Sequence, residues 1–339
     1  MPIRRHRLLA LFLLAGALLP LAGCEMASHP RSTIAPVSDF GWALQDVYKQ
    51  IFWWSVGIFV VVETLLLVAI FRFRVKEESH EKPEQVHGHT KLEIAWTIVP
   101  AVILVFIAVP TIRTIFAVAA PAPPDAIRVK VTGEQWFWRF EYPDLGVLTA
   151  NEMHVPVGRP VEVLLHTNNV IHSFWVPRLG GKRDLVPGRT NRQVFTVQKP
   201  GLYHGQCAEF CGTAHALMRF DLVAEDPVSF GRWVETQKAA APPAAEGKAK
   251  EGATLFLSAG CIACHRIQGT PAQSPIGPDL THVGSRARIA AGILDNTPEN
   301  LARWIGNPQA VKPSARMILP KKLNERQIEA LVAYLQGLQ

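Results

Sequence analysis

Cysteine is scarce in this chain, and its number is odd. The 339 residues include five cysteines: Cys24, Cys207, Cys211, Cys261 and Cys264. A framework of disulfides would leave one thiol over, and no second C-x2-C pair accompanies Cys261 and Cys264, as a zinc ribbon would require. The cysteines instead form one lone residue and two close pairs, and each group has a chemical assignment without any disulfide.

Acidic residues are also in deficit, with 28 Asp and Glu against 35 Lys and Arg. A net charge of +7 can attract nucleic acid, but no helix-turn-helix or RNA-binding signature accompanies it. Much of the excess lies in the N-terminal segment and beside long apolar runs, where basic flanks are typical of membrane proteins. We therefore expect a membrane partner and no nucleic acid.

The most informative stretch is 206–218, where two cysteines, a histidine and a methionine follow the spacing C-x3-C-x3-H-x2-M. Thiolate and thioether are soft donors that suit copper, and a thioether argues against a structural zinc site. His172 follows a strand-like run and is the candidate for a second imidazole. The alternative is a disulfide between Cys207 and Cys211 beside incidental histidines, which leaves Met218 and His172 without a role.

These residues resemble the binuclear copper (CuA) centre of subunit II of the haem–copper oxidases. The resemblance implies five side-chain ligands: His172, Cys207, Cys211, His215 and Met218. It also implies that Glu209 binds copper through its backbone carbonyl and a magnesium ion, at the interface with subunit I, through its carboxylate.

The N-terminus has the basic start and short apolar run of a secretory signal, which we assign to residues 1–24. The signal ends in Leu-Ala-Gly-Cys, which resembles the cleavage box of bacterial lipoproteins and implies that Cys24 is lipidated and becomes the mature N-terminus. Ordinary cleavage near Ala27 is the alternative. Either route exports the segment that follows.

Residues 25–120 contain two apolar runs, at about 48–71 and 94–118, each near the ~20 residues that cross a bilayer. The loop between them is rich in Lys and Arg and is therefore cytoplasmic. This predicts a hairpin in the bacterial inner membrane, with the N-terminus and everything after residue 120 on the periplasmic side. Glu63 lies inside the first span, and we interpret it as a hydrogen-bonding partner of a neighbouring subunit.

Glu93 opens the second span. The matching family glutamate lies at the cytoplasmic entrance of a proton pathway, which implies the same position for Glu93. A carboxylate in the first helical turn also has a purely structural explanation, because it complements the helix dipole.

Short strand-like runs separated by turn residues fill 121–235 and predict an all-β sandwich, which resembles the Greek-key cupredoxin fold. The resemblance makes Trp136 the residue that receives the electron from cytochrome c, while Phe137 and Trp138 are expected to be structural. Two positions depart from the family pattern: Glu134 replaces a common histidine, and His204 replaces a common aromatic residue.

An Ala/Pro-rich linker at 236–249 leads to a last domain at 250–339. Cys261, Cys264 and His265 form C-x2-C-H, the signature of covalent haem c attachment. Met317 is the only methionine after Cys264 and is the expected sixth ligand, with His282 as the competing one. A C-terminal amphipathic helix, capped by Asn324, completes an expected all-α cytochrome c domain.

The whole chain therefore resembles subunit II of a cytochrome c oxidase that carries a fused class I cytochrome c. The fold class is multidomain: a transmembrane hairpin, a cupredoxin domain and a cytochrome c domain. The implied function is to relay electrons from cytochrome c, or another donor, through haem c to CuA and then to subunit I. Subunit III is a further expected partner, and oxygen reduction with proton pumping belongs to the partner chain.

Two other functions stay open at this stage. The copper site would also serve the electron-accepting subunit of a CuA-containing nitric oxide reductase, and the same domains would serve a membrane-tethered cytochrome and copper protein outside any oxidase. A quinol oxidase subunit is disfavoured, because that relative lacks the copper ligands and the haem motif.

Overall fold

The computed structural model describes residues 29–74, 85 and 87–339. The signal segment and Cys24 lie outside the described residues. Two compact units are present: Trp42–Ala120 is one, and the residues up to Gly41 together with Pro121–Gln339 form the other.

The first unit is a helical hairpin. Helix α1 (Asp39–Arg72) and helix α2 (Thr90–Val118) are each long and apolar enough to cross a membrane, and both extend beyond the predicted spans. Most of their large apolar side chains are exposed, as expected for helices that face lipid. Pro100 and Pro110 lie inside α2, where removed backbone hydrogen bonds are tolerated if neighbouring helices compensate.

The first residues of α1, up to Gly41, belong to the second unit. Ser38 Oγ donates a hydrogen bond to the carbonyl of Leu179 at 2.6 Å, and Asp39 Oδ1 accepts the backbone N–H of Thr196 at 2.7 Å. Phe40 is buried beside them. The helix therefore begins nine residues before the predicted span because its first turn packs on the sheet domain.

That sheet domain is a sandwich, as expected. Its strands are β1 (Ile127–Glu134), β2 (Phe137–Tyr142), β3 (Val147–Ala150), β4 (Glu152–Pro156), β5 (Pro160–Thr167), β6 (His172–Trp175), β7 (Arg183–Leu185), β8 (Asn191–Thr196), β9 (Gly201–Cys207) and β10 (Arg219–Glu225). One sheet has the order β3-β2-β1-β5-β8 and the other β4-β10-β9-β6-β7. Strict alternation of buried and partly exposed residues in β2 and β5 identifies the face of each strand that packs on the core.

An aromatic cluster fills the core. Trp138 is fully buried and meets Phe174 edge-on, with ring centroids 6.0 Å apart, and Phe220 at 5.2 Å. The structural role predicted for Trp138 therefore agrees with the structure. Phe137 differs, because adjacent strand residues point to opposite faces, and it is half-buried beside a cavity described below.

Helix α3 (Pro227–Lys238) was not predicted and takes the first residues assigned to the linker. Asp226 caps it by accepting the N–H groups of Val228 and Ser229. Trp233 of this helix stacks on the imidazole of His154, with ring centroids 4.3 Å apart. The helix thus covers one edge of the sandwich, and the chain between helices shortens to 239–247.

The last domain has its own core. Its elements are α4 (Lys248–Ser258), β11 (Arg288–Ile289), β12 (Leu294–Asp295), α5 (Pro298–Gly306), α6 (Pro308–Val311) and α7 (Glu325–Gln336). Phe256 of α4 packs in one cluster with Leu331 and Leu335 of α7. The predicted cap is confirmed: Asn324 accepts the N–H of Gln327, whose side chain accepts the N–H of Asn324. The small hairpin β11–β12 interrupts an otherwise helical domain.

Helices α4 and α7 approach each other closely at Gly252. A Cβ atom there would meet the carbonyl of Ala330 and lie 2.8 Å from Cβ of Tyr334. We expect Gly252→Ala to destabilise the haem domain by about 1–3 kcal/mol through overpacking, measured by guanidinium unfolding followed at the haem absorption. Gly231→Ala is the control, because nothing lies within 4 Å of its Cβ position and alanine favours a helix by about 1 kcal/mol. Equal effects of the two substitutions would contradict this account of the helix crossing.

Candidate metal centre and haem pocket

The proposed copper ligands lie where β6, β9 and β10 meet. Cys207 ends β9, Met218 immediately precedes β10, and His172 begins β6, which pairs with β9. A backbone hydrogen bond of 2.9 Å from the N–H of Cys207 to the carbonyl of Met218 closes the loop between β9 and β10. Backbone hydrogen bonds between β9 and β10 thus hold the two ends of the loop together.

The donor atoms of these residues face one another. Cys207 Sγ lies 3.7 Å from Cys211 Sγ and 3.9 Å from His172 Nδ1. Cys211 Sγ lies 3.6 Å from His215 Nδ1 and 3.9 Å from Met218 Sδ. Two ligands of one tetrahedral metal with bonds of roughly 2.0–2.3 Å are about 3.3–3.8 Å apart. The residues therefore fit a pair of soft-metal positions in which each cysteine is close to both sulfur and imidazole donors.

The surroundings of His172 hold its ring in one orientation. Its Nε2 lies 3.0 Å from Asn169 Oδ1, so Nε2 carries the proton and the Nδ1 lone pair is directed at the cysteines. Gly133 of β1 passes directly against the ring: a Cβ atom there would lie 2.9 Å from Cδ2 of His172. His172 itself is fully buried. Asn169 and Gly133 thus support the site without supplying donors to it.

The two thiols do not behave alike. Contact with Cys211 lowers the pKa of Cys207, and the same contact raises the pKa of Cys211. The pair therefore loses its first proton readily and retains its second. A metal ion that binds here must displace that second proton, as thiolate ligation requires.

Glu209 lies at the exposed side of the site. Its backbone carbonyl is 3.2 Å from Cys207 Sγ, in reach of a metal held there. Its carboxylate lies 3.8 Å from Lys182 Nζ and is partly exposed. The carbonyl and the carboxylate thus point to different surroundings, as two separate ligand roles would need.

Trp136 connects the copper loop with the last domain. Its indole Nε1 donates to the carbonyl of Cys211 at 3.0 Å, and the side chain of Gln135 donates to the same oxygen at 2.8 Å. Gly212 lies under the indole, with a φ of +116° that suits glycine. From the last domain, Lys312 Nζ donates to the carbonyl of Trp136 at 2.6 Å. Burial lowers the pKa of Lys312 to about 7.

A cavity of about 410 Å³, which we call the haem cavity, is lined by residues of both the haem domain and the copper domain. This volume is typical of cofactor sites. Cys261, Cys264, His265 and Met317 line the haem cavity, together with Trp136. His265 Nδ1 lies 2.9 Å from the carbonyl of Pro278, so Nδ1 is the protonated nitrogen and Nε2 is free for a metal. Burial lowers the pKa of His265, which favours the neutral ring that ligation needs. These residues fit a covalently bound haem c.

The competing sixth ligand, His282, is oriented away from this role. Its Nε2 lies 3.1 Å from the carbonyl of Ala239, and it is not among the residues that line the cavity. Met317 does line the cavity. Of the two candidates, the structure brings only Met317 to the haem pocket.

Glu93 lies in the first turn of α2. Its Oε1 accepts the N–H of His89 at 3.3 Å, while the ring of His89 accepts the N–H of Leu92. These two contacts form a reciprocal helix cap, which gives Glu93 a structural role.

Several residues of these sites were not found from the sequence. Gln135 and Lys312 act through contacts with residues distant in the chain, Cys211 and Trp136 respectively. Asn169 acts through its contact with His172. The one available signal was proximity: Asn169 lies three positions before His172, and Gln135 directly precedes Trp136.

The matched families agree with this arrangement. Residues 38–114 match the family described as cytochrome c oxidase subunit II, transmembrane domain, and residues 145–225 match its periplasmic domain. Residues 249–339 match the cytochrome c family.

Individual relatives cover most of the chain. The cytochrome c oxidase subunit 2 of Alkalihalophilus pseudofirmus is 40% identical over 284 residues, which are 82% of each chain. The quinol oxidase subunit 2 of Bacillus cereus is 32% identical over 250 residues, 72% of this chain and 84% of its own. A solved structure, the periplasmic domain of subunit II of cytochrome oxidase of Bradyrhizobium japonicum, is 36% identical, covers 34% of this chain and 96% of that one, and has a TM-score of 0.33.

The chain therefore belongs to the cytochrome c oxidase subunit II family of the haem–copper oxidases. It is a membrane-anchored, multidomain member that combines a copper-binding cupredoxin domain with a haem c-binding domain.

The haem pocket generates a prediction about the sixth ligand. We expect Met317→Leu to abolish the long-wavelength charge-transfer band of ferric haem with thioether ligation, and to lower the midpoint potential of the haem. His282→Gln is the matched control and should leave both unchanged. Loss of the band in His282→Gln but not in Met317→Leu would contradict the assignment.

Proposed function

We propose that this chain is the electron-accepting subunit of a proton-pumping cytochrome c oxidase. It takes electrons from cytochrome c or another donor and passes them from haem c to binuclear CuA and on to subunit I. The observation that carries this proposal is the position of Trp136, which lines the haem cavity and donates a hydrogen bond to the carbonyl of Cys211.

The chain's own residues have separate tasks in this proposal. His172, Cys207, Cys211, His215 and Met218, with the carbonyl of Glu209, would hold the two coppers. Binuclear copper, when bound, would supply a one-electron carrier. The sheet ladder and Asn169 keep these donors in place, so that little rearrangement accompanies each change of charge.

Trp136 bridges the two cofactor sites in this proposal. One end of the bridge is the haem cavity and the other is the backbone of a copper-ligating cysteine. On the haem side, Lys312 fixes the carbonyl of Trp136, and Arg316 donates to the side chain of Gln135 at 2.8 Å. The bridge is thus hydrogen-bonded to both domains.

The remaining proposals concern the membrane and the partners. The basic residues between the two spans support a cytoplasmic loop and therefore redox domains on the periplasmic side of the inner membrane; they are Arg72, Arg74, Lys76, Lys82 and Lys91. Subunit I, which carries out oxygen reduction, and subunit III are the proposed partners.

Three further residues have proposed roles. The Glu209 carboxylate would hold magnesium at the subunit I interface, and Glu93 would admit protons from the cytoplasm. A lipidated Cys24 would add a second membrane anchor.

The copper site provides the first test of this proposal. We expect the full chain, loaded with haem and copper, to give the EPR hyperfine pattern of one electron shared equally by two copper nuclei, together with the α band of a ferrous c-type haem. Cys211→Ser should convert the copper signal to that of a single metal, because one of the two thiolates that would hold the copper pair is lost. A mononuclear copper signal from the unmodified chain would contradict the relay.

The bridge provides the second test. We expect Trp136→Phe to slow electron transfer from haem c to copper by about tenfold or more, since the indole contact to Cys211 is lost, while the copper and haem spectra stay unchanged. Trp175→Phe is a matched control: its indole also donates to a backbone carbonyl, that of Gly180, but it does not line the haem cavity. Flash reduction of haem c measures both rates, and equal rates would remove Trp136 from the path.

A further inference from the structure

A row of polar residues crosses the outer face of the second sheet. Glu152 on β4 is paired with Asp221 on β10, and Asp221 is paired with His204 on β9. Residues directly opposite each other on neighbouring strands share a face. The neighbours of Asp221, Phe220 and Leu222, point into the sandwich core, so this row points outward.

The haem domain covers this row with the hairpin β11–β12. Arg288 Nε donates to Asp221 Oδ2 at 2.6 Å, and its Nη2 contacts both Asp221 Oδ1 and, at 2.7 Å, His204 Nδ1. The N–H of Ala287 donates to Glu152 Oε2 at 3.0 Å. Two consecutive residues of the haem domain thus contact every member of the row, including His204, which departs from the family pattern.

The ion pair at the centre of this contact is buried. The side chains of Asp221 and Arg288 are 2% and 18% exposed. Asp221 is on an outward face, and Arg288 of the haem domain covers it there. A two-pronged Arg–carboxylate pair is among the stronger charge-assisted contacts. Removal of Arg288 would leave the buried Asp221 carboxylate with its contact to His204 Nδ1 at 2.8 Å and without its guanidinium.

The same hairpin also contacts the copper loop through the backbone. The N–H of Arg219 donates to the carbonyl of Ala291 at 3.1 Å, and Arg219 directly follows Met218. At the far side of the haem cavity, Lys312 and Arg316 bind Trp136 and Gln135. Arg139 of β2 adds a third contact, because its Nη2 donates to the carbonyl of Pro275 at 2.5 Å. The haem domain is therefore bound beside Met218, at Trp136 and at Arg139, which restricts both its distance and its orientation.

We propose that Arg288 and Asp221 form an ionic lock that holds the haem domain in one position on the copper domain, and so are positioning residues for electron transfer between the cofactors. The inference rests on the proposed relay for its functional consequence. While the lock is intact, the docked state is the resting state, and the linker at 239–247 does not determine how often the domains meet. Without the lock, contact depends on the tether, whose effective concentration falls as the linker lengthens.

The lock is separable from the folding of either domain. The haem domain has its own core around Phe256 and Leu331, and the sandwich has its own around Trp138 and Phe220. We expect Arg288→Gln to weaken the docking of the haem domain, which Lys312 and Arg316 still bind to the copper domain. Both domains should remain folded, which unchanged copper and haem spectra would verify.

The test uses the full chain with both cofactors and compares Arg288→Gln, Asp221→Asn and the double variant. Hydrogen exchange, read by mass spectrometry, reports the amides of Ala287 and Arg219. We expect exchange at both to rise by about tenfold or more in each single variant, with a much less than additive effect in the double variant. Arg326→Gln, which removes an exposed ion pair with Glu251 elsewhere on the haem domain, is the control and should change neither amide.

A linker insertion separates a positioning role from a merely structural one. About 20 Gly/Ser residues are inserted between Ala245 and Glu246, which are both exposed. We expect this insertion to leave the rate from haem c to copper unchanged in the otherwise unmodified chain, and to slow it several-fold in Arg288→Gln. Midpoint potentials should be the same in all variants.

Two results would overturn the lock. One is unchanged exchange at Ala287 and Arg219 in both single variants. The other is an equal loss of rate on linker insertion with and without Arg288. Neither depends on whether the copper is binuclear, whereas failure of the proposed relay would appear in the unmodified chain as a mononuclear copper signal.

Discussion

The carbonyl oxygen of Cys211 is the point on which the proposed relay depends. It accepts hydrogen bonds from both Gln135 and Trp136, and it belongs to a residue whose sulfur faces the other donors of the copper site. The turn between β1 and β2 is therefore bound to the copper loop, and whatever contacts Trp136 contacts a neighbour of the metal. The haem cavity lies on the other side of that indole.

Other contacts keep this arrangement rigid. The sheet closes the copper loop through the hydrogen bond between Cys207 and Met218, and Gly133 leaves room for the buried ring of His172. Cationic side chains of the haem domain add contacts to the copper domain. Arg288 donates to the carboxylate of Asp221, and Lys312 donates to the backbone carbonyl of Trp136. Charges of opposite sign on two contacting surfaces attract the two domains and also fix how they are aligned on each other.

The sequence was most informative where chemistry requires fixed spacing. The stretch from Cys207 to Met218 predicted a soft-metal site, C-x2-C-H predicted haem attachment, and the structure brings each set of side chains together. Family membership confirmed the layout of hairpin, cupredoxin and cytochrome c domains. The cap at Asn324 was equally readable, because a capping box involves residues three positions apart.

What the sequence did not reveal depends on contacts between distant segments. Arg288 and Asp221 are 67 positions apart, and neither belongs to a motif, so nothing local distinguishes a lock from solvated surface charges. Phe137 was expected to be structural, but the pleat directs it to the haem cavity. Helix α3 was hidden because its amphipathic pattern is short and runs into the Ala/Pro segment.

The most direct test is flash reduction of haem c in the full chain, with copper followed by its near-infrared absorption at several protein concentrations. The account predicts that copper is reduced as haem c is reoxidised, at a rate independent of protein concentration, because both sites belong to one docked chain. A rate proportional to protein concentration, or no copper reduction, would contradict it.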